Sequence, residues 1–163
     1  MRDKPNFVYV SYIRTSQQAV WTALIDPDFT EKYWSGTRLE ADWRVGGKVV
    51  LKDPNAGITD TGEVLVWDPP TKLAYSFSVA FDPVFAAEGH SRVTMELEAN
   101  GEVVKLTLTH DGFPVNSKVL AAVSHGWPSI LSSLKSLLES GEALPSGDTK
   151  AARAEASDRA RAG

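Results

Sequence analysis

The 163-residue chain contains no cysteine. Disulfides and thiolate metal sites are therefore excluded, and a reducing, cytoplasmic setting is the compatible one. Histidine is scarce: there are three, His90, His110 and His125, and none stands at a metal-ligand spacing such as HExxH. No metal site is expected. No GxSxG occurs, so there is no nucleophile elbow. A phosphate loop around Gly47-Lys48 would need a glycine five residues before Gly47 and a hydroxyl residue after Lys48, but Asp42 and Val49 stand there. The carboxylates Asp60, Glu63, Asp82 and Glu88 fall on strand edges and loops, with no two placed as an acid–base couple. No catalytic residue is assigned, and no motif calls for a cofactor. There is no apolar run long enough to enter a membrane, and Met1 to Pro5 lead straight into strand-like sequence without a secretory core. A net charge of −4 without a basic stripe argues against nucleic acid as a partner.

What is present is enough apolar material for one substantial core. Asn116 to Ser140 carries the longest apolar helical face. Val119, Val123, Trp127, Ile130, Leu131, Leu134, Leu137 and Leu138 recur at steps of three and four. Asn116 is the expected cap and Gly141 the expected left-handed terminus. Pro128 cannot donate to the Ser124 carbonyl, so a kink or break is expected there, opening a pocket beside Trp127.

Ahead of that helix the chain reads mostly as strands. Phe7 to Arg14 is rich in β-branched and aromatic residues. Thr15 to Gln18 is a capping-box pattern that starts a short helix, and Asp26-Pro27 starts a second one ending near Trp34. From Thr37 the period changes to two. Strands are expected over Thr37–Trp43, Lys48–Lys52, Thr61–Trp67 and Lys72–Ala80, the last with Leu73, Tyr75, Phe77 and Val79 on one face. Phe81 to His90 reads as a loop, unusually apolar, where a pocket mouth could lie. Asn100-Gly101 predicts a two-residue type I′ turn closing a hairpin. That turn would pair Glu96 with Lys105, Thr94 with Thr107 and Met95 with Leu106, with His110 opposite Ser91. Charges and threonines fall outside and an apolar strip inside.

The expected fold is α+β: a curved antiparallel sheet wrapped round a long C-terminal helix, with two short helices after the first strand. Residues 1–141 form this domain. Residues 142–163 form a polar, alanine-rich tail with one large apolar residue, Leu144, and a helix over Thr149 to Arg161 is allowed. The aromatic and apolar interior is the candidate ligand site: Trp34, Trp43, Tyr75, Phe77, Met95, Leu106, Phe113, Trp127, Ile130, Leu131 and Leu134. The Tyr75 hydroxyl, His110 and the indole nitrogens would serve as polar handles.

Four stretches carry a resemblance. FVYVSYIRTSQQAVWTALIDPDFTEKYW resembles the first strand and paired helices of the activator of heat-shock protein 90 ATPase homologue-like family, members of the START and Bet v 1-like (SRPBCC) superfamily. GEVLVWDPPTKLAYSF and VTMELEANGEVVKLTLTHDGFP resemble its middle and last hairpins, and HGWPSILSSLKSLLESG its closing helix. The resemblance spans about residues 5 to 141 and implies the helix-grip fold. Across the superfamily the tasks are carriage of hydrophobic ligands, polyketide cyclisation or aromatisation, and chaperone stimulation. The reading that follows is a module binding a small hydrophobic or amphipathic molecule. A cyclase- or aromatase-like enzyme using His110 or a pocket carboxylate as acid or base and a co-chaperone-like interaction module are the alternatives, and a homodimer is compatible with any of them.

Overall fold

The computed structural model describes residues 6–145. Alternating apolar residues in Phe7–Ile13 form strand β1, and helices α1 (Gln17–Ile25) and α2 (Pro27–Tyr33) follow. Ser16, not Thr15, caps α1: its Oγ accepts from the Ala19 amide at 3.1 Å. Gln18 does not reach back but donates to Thr22 Oγ1 at 3.2 Å. Asp26 caps α2 as expected, accepting from the Asp28 amide at 2.9 Å, with Pro27 at the first helical position.

The sheet then builds through β2 (Arg38–Ala41), β3 (Lys48–Asp53), β4 (Gly57–Asp68) and β5 (Lys72–Val79). The stretch read as a loop contains one turn of helix, α3 (Pro83–Ala86), capped by Asp82 with Pro83 at its first position. The same Asp-Pro start signal that marks α2 stands there. Strands β6 (Ser91–Asn100) and β7 (Val103–Asp111) precede the long helix α4 (Lys118–Ser140). All seven strands pair antiparallel in the order β1-β7-β6-β5-β4-β3-β2.

The last hairpin differs from expectation in register. Asn100 pairs with Val103, so Gly101 and Glu102 form the turn. Only Gly101 has positive φ (63°), which is the type II′ pattern rather than type I′. Every pair moves by two: Glu98 faces Lys105, Thr94 faces Thr109, Met95 faces Leu108, and His110 faces Val93 rather than Ser91. A shift of two leaves each residue on its expected face, because strand side chains alternate with period two. Arg92 and Asp111 gain an ion pair at 3.6 Å.

The sheet curves, helped by irregular pairing in β4 between Val64 and Val66 and in β3 between Leu51 and Lys52. At Gly62 the β4 backbone comes so near β5 that a Cβ would lie 1.8 Å from the Ser76 carbonyl oxygen. Any side chain there would force the strands apart.

Helix α4 packs into the concave face with α1 and α2, and together they bury Leu106, Leu108, Leu131 and Leu134 completely or nearly so. Ser117 caps α4, its Oγ accepting from Leu120 at 2.9 Å, while Asn116 sits one residue outside with φ 59°. Gly141 closes the helix at φ 83°, as expected. Of the kink or break expected at Pro128, a break does not occur: α4 continues through it as one helix. At the C-terminal end of β1 the same helix supplies partners to the backbone. Lys135 donates to the Tyr12 carbonyl, and Glu139 accepts from the Arg14 amide at 2.8 Å.

Candidate ligand-binding site

A small cavity of about 40 Å³ lies between the sheet and the first half of α4. Leu51 of β3 and Phe77 and Val79 of β5 form one wall. Val119, Ala122, Val123, Gly126, Trp127 and Ile130 of α4 form the opposite wall. Trp34 closes one side, and Phe81 and Phe85, flanking and within α3, close the other. The half-exposed Val123 and the exposed Phe81 bring the cavity to the surface.

Of the residues expected from sequence, Trp34, Phe77, Trp127 and Ile130 line this space. Trp34 and Trp127 meet there with ring centroids 5.2 Å apart. Tyr75, Met95, Leu106, His110, Phe113, Leu131 and Leu134 are buried in the continuous core around it without lining it. Trp43 stands elsewhere, stacked on Trp67 at 5.3 Å and donating its indole N–H to the Ile25 carbonyl at 3.2 Å. Sequence reasoning placed Phe81 and Phe85 at a mouth and Val119 and Val123 on the helical stripe without assigning them to the site. Leu51 and Ala122 carried no signal of their own, since an apolar strand residue and a helical alanine are common in any core.

The polar groups near the cavity are mostly committed to each other. Trp127 Nε1–H donates to His110 Nδ1 at 3.0 Å. An indole nitrogen only donates, so Nδ1 is the bare nitrogen and the imidazole proton sits on Nε2. That N–H donates to Ser91 Oγ at 2.7 Å, and the serine hydroxyl donates on to the Phe77 carbonyl at 3.3 Å. The His110 ring is packed against Phe113 at 4.5 Å and edge-on to Phe77 at 5.1 Å. Burial drives its pKa down to about 3, because the charged form would lose its hydration. His110 is thus a neutral, doubly bonded member of the core and not an available acid or base. Tyr33 Oη donates to the Ala23 carbonyl at 2.9 Å, and burial pushes its phenol pKa up. Burial also pushes up the Tyr75 phenol, with the nearby Asp60 carboxylate adding to the shift.

One carboxylate anchors the mouth. Glu88, just after α3, accepts from Ser117 Oγ at 2.5 Å and from the Lys118 and Val119 amides at 2.7 and 3.4 Å. Those amides belong to the first turn of α4, whose N–H groups find no acceptor within the helix and where negative charge is also favoured by the helix dipole. The α3 segment is thereby tied to the helix that forms the other wall.

Among the described residues no three histidine or carboxylate side chains converge as metal ligands would. No described helix is long and apolar enough to cross a membrane.

Solved structures share this architecture. A Mesorhizobium loti protein is 24% identical with a TM-score of 0.71, the match covering 82% of this chain and 96% of that one. CalU16 from Micromonospora echinospora is 22% identical with a TM-score of 0.69, covering 96% of this chain and 86% of its own. The Aha1 dimer from Colwellia psychrerythraea is 20% identical with a TM-score of 0.68, covering 84% and 98%. At these identities the likeness speaks for the fold. No curated protein sequence matches. The profile of the family described as Activator of Hsp90 ATPase homolog 1-like protein matches residues 14–139, from the end of β1 almost to the end of α4. The chain belongs to that family.

Proposed function

We propose that the protein binds a small hydrophobic or amphipathic molecule between the sheet and α4. The observation that supports this best is the character of the cavity: apolar walls on both sides, no charged side chain among them, and an outlet at Phe81 and Val123. At about 40 Å³ it is well below the roughly 300–1,000 Å³ of sites that enclose drug-sized ligands. Binding therefore requires the segment carrying Phe81 and Phe85 to move outward, and the Glu88 contacts to α4 limit that movement. The candidate site is Trp34, Phe77, Trp127 and Ile130 with the additional lining residues. The other residues predicted for the site serve as its packed surroundings, except Trp43. A cyclase-like reaction has less support, since His110 has both nitrogens engaged and no carboxylate lines the cavity.

Calorimetry and thermal-shift measurements with a panel of apolar compounds test the reading, alongside tryptophan fluorescence. Saturable heat, stabilisation and a fluorescence change that Trp127→Phe largely removes are expected. Ile130→Trp should fill the space and weaken binding while the protein stays folded. Absence of both heat and stabilisation across the panel would move an interaction module ahead.

That second reading, including a homodimer, draws on a specific feature. Val8, Val10 and Tyr12 project from the edge strand β1 with exposures of 52%, 43% and 53%. Light scattering across a concentration series would detect self-association. A cytoplasmic location belongs to the same proposal and rests on the cysteine-free composition.

A further inference from the structure

Most polar side chains around the cavity are spent. Trp127, His110 and Ser91 form a chain ending on the Phe77 carbonyl, and Tyr33 donates to a backbone carbonyl. One buried side-chain polar atom among the described residues has no partner, the Tyr75 hydroxyl. Tyr75 is 1% exposed, so water does not reach it from the surface. Folded proteins rarely leave a hydroxyl unpaired in a dry interior, because its lost hydration is not repaid.

The position of this hydroxyl relates it to the cavity. Tyr75 projects from β5 on the same face as Phe77 and Val79, both of which line the space. The Asp60 carboxylate adds to the upward push that burial gives the Tyr75 phenol, and Tyr75 adds to that on Tyr33. Asp60 is paired in the sheet with Leu51 on one side and Val79 on the other, and Tyr33 immediately precedes Trp34. Leu51, Val79 and Trp34 all line the cavity. Counted back from Phe81, the residues on this face of β5 are Val79, Phe77 and then Tyr75, so Tyr75 stands next beyond the lining residues, on the side away from Phe81. Burial keeps the phenol protonated at neutral pH, so it is available as a donor.

We propose that the molecule taken up in this cavity carries a neutral carbonyl oxygen on its inward end, which accepts a hydrogen bond from Tyr75 Oη. The ligand class is then a small apolar ketone, aldehyde or ester rather than a pure hydrocarbon or a carboxylic acid. An anionic head is disfavoured because no cationic side chain lines the cavity and the buried Asp60 carboxyl group lies near the phenol. This inference rests on the ligand-binding reading above and adds the identity of the polar group.

The test uses three probes of nearly one shape: acetophenone, α-methylstyrene and benzoate, titrated calorimetrically into the full chain and into Tyr75→Phe. The substitution keeps the ring and removes only the unpaired hydroxyl, so the variant should melt no lower than the parent. The affinity ratio of acetophenone to α-methylstyrene should fall about two- to tenfold in the variant, with α-methylstyrene itself unaffected. Benzoate should bind more weakly than acetophenone to both proteins. An independent reading needs no variant: the infrared carbonyl stretch of ¹³C-labelled acetophenone should move to lower frequency when bound. An unchanged ratio or an unshifted carbonyl overturns the role of Tyr75 while apolar binding stands. Benzoate binding as tightly as acetophenone overturns the neutral class. Failure of all three probes to bind the parent protein overturns the ligand reading and this inference together.

Discussion

The Trp127 indole N–H donates to Nδ1 of His110 at 3.0 Å, joining the wall of the cavity on α4 to the inner face of β7. The bond fixes the imidazole tautomer and holds the Trp127 ring in place at once. Protonating His110 would put a second N–H against the indole N–H, in a site where burial already opposes charge.

That arrangement sets an acid sensitivity. His110 in the unfolded chain takes up a proton as the pH falls through its ordinary value of 6.5, whereas the folded chain resists until about 3. Between those values the unfolded state binds more protons, so stability rises with pH. The contribution of His110 is complete above pH 6.5 and is lost toward pH 3, at up to about 1.4 kcal/mol per pH unit. His110→Gln, which does not titrate, should be less stable at pH 7 because the Trp127 and Ser91 contacts are disturbed. Urea denaturation from pH 7 to pH 4 should nevertheless show a shallower pH slope for the variant than for the parent. Equal slopes would show that other groups govern the acid response.

Leu134 is fully buried where α4 meets the sheet. Leu134→Ala should destabilise the protein by roughly 2–5 kcal/mol, through lost transfer energy and a residual cavity. A change under about 0.5 kcal/mol in chemical denaturation, the range of ordinary surface substitutions, would contradict this packing.

The long helix and the faces of the hairpin were legible because periodicity alone specifies them. Val119 to Leu138 follow one helical stripe, and Met95, Leu97, Leu106 and Leu108 stay on the inner face in either register. The register itself was not legible, since sliding β6 against β7 by two residues preserves every face. Only the turn distinguishes the two, and Gly101 took the first central position itself instead of following Asn100 there. Caps failed by one residue for a similar reason: Thr15 and Ser16, like Asn116 and Ser117, are adjacent residues of the same capping type. Part of the cavity lining was legible. Trp127 and Ile130 follow from the helical stripe, and Phe77 from the alternation of β5. That Trp43 lies away from the cavity was not legible, because nothing local indicates its stacking on Trp67.

Glu88 offers a way to loosen the mouth without touching its lining. Glu88→Ala removes the acceptor of Ser117 Oγ and of two amides in the first turn of α4. The expected cost is about 0.5–2 kcal/mol, that of losing a helix cap. Hydrogen exchange at the Lys118 and Val119 amides should accelerate more than exchange in β7, and apolar probes should associate faster. A uniform increase across the protein would instead indicate global destabilisation and no local role in access.

The tail divides into two parts that truncation should separate. Immediately after α4, Ser136 Oγ donates to the Glu142 carbonyl at 2.7 Å, and the Leu144 amide donates to Ser133 Oγ at 3.1 Å. Ala143 packs on the core, and Ser133 is only 5% exposed. Removing residues 142–163 leaves the Ser133 hydroxyl buried without that donor, so truncation after Gly141 should cost about 0.5–1.5 kcal/mol per lost bond. Residues 146–163, including the helix expected over Thr149 to Arg161, lie outside the described residues. They hold no apolar side chain larger than alanine. Truncation after Pro145 should therefore change stability by no more than about 0.5 kcal/mol. Thermal and urea denaturation of the two truncations beside the full chain decide the matter. If the longer truncated form loses as much stability as the shorter one, residues 146–163 contact the body or a second copy of the chain. Repeating the comparison at several protein concentrations tells those two apart, since only contact with a second copy depends on concentration.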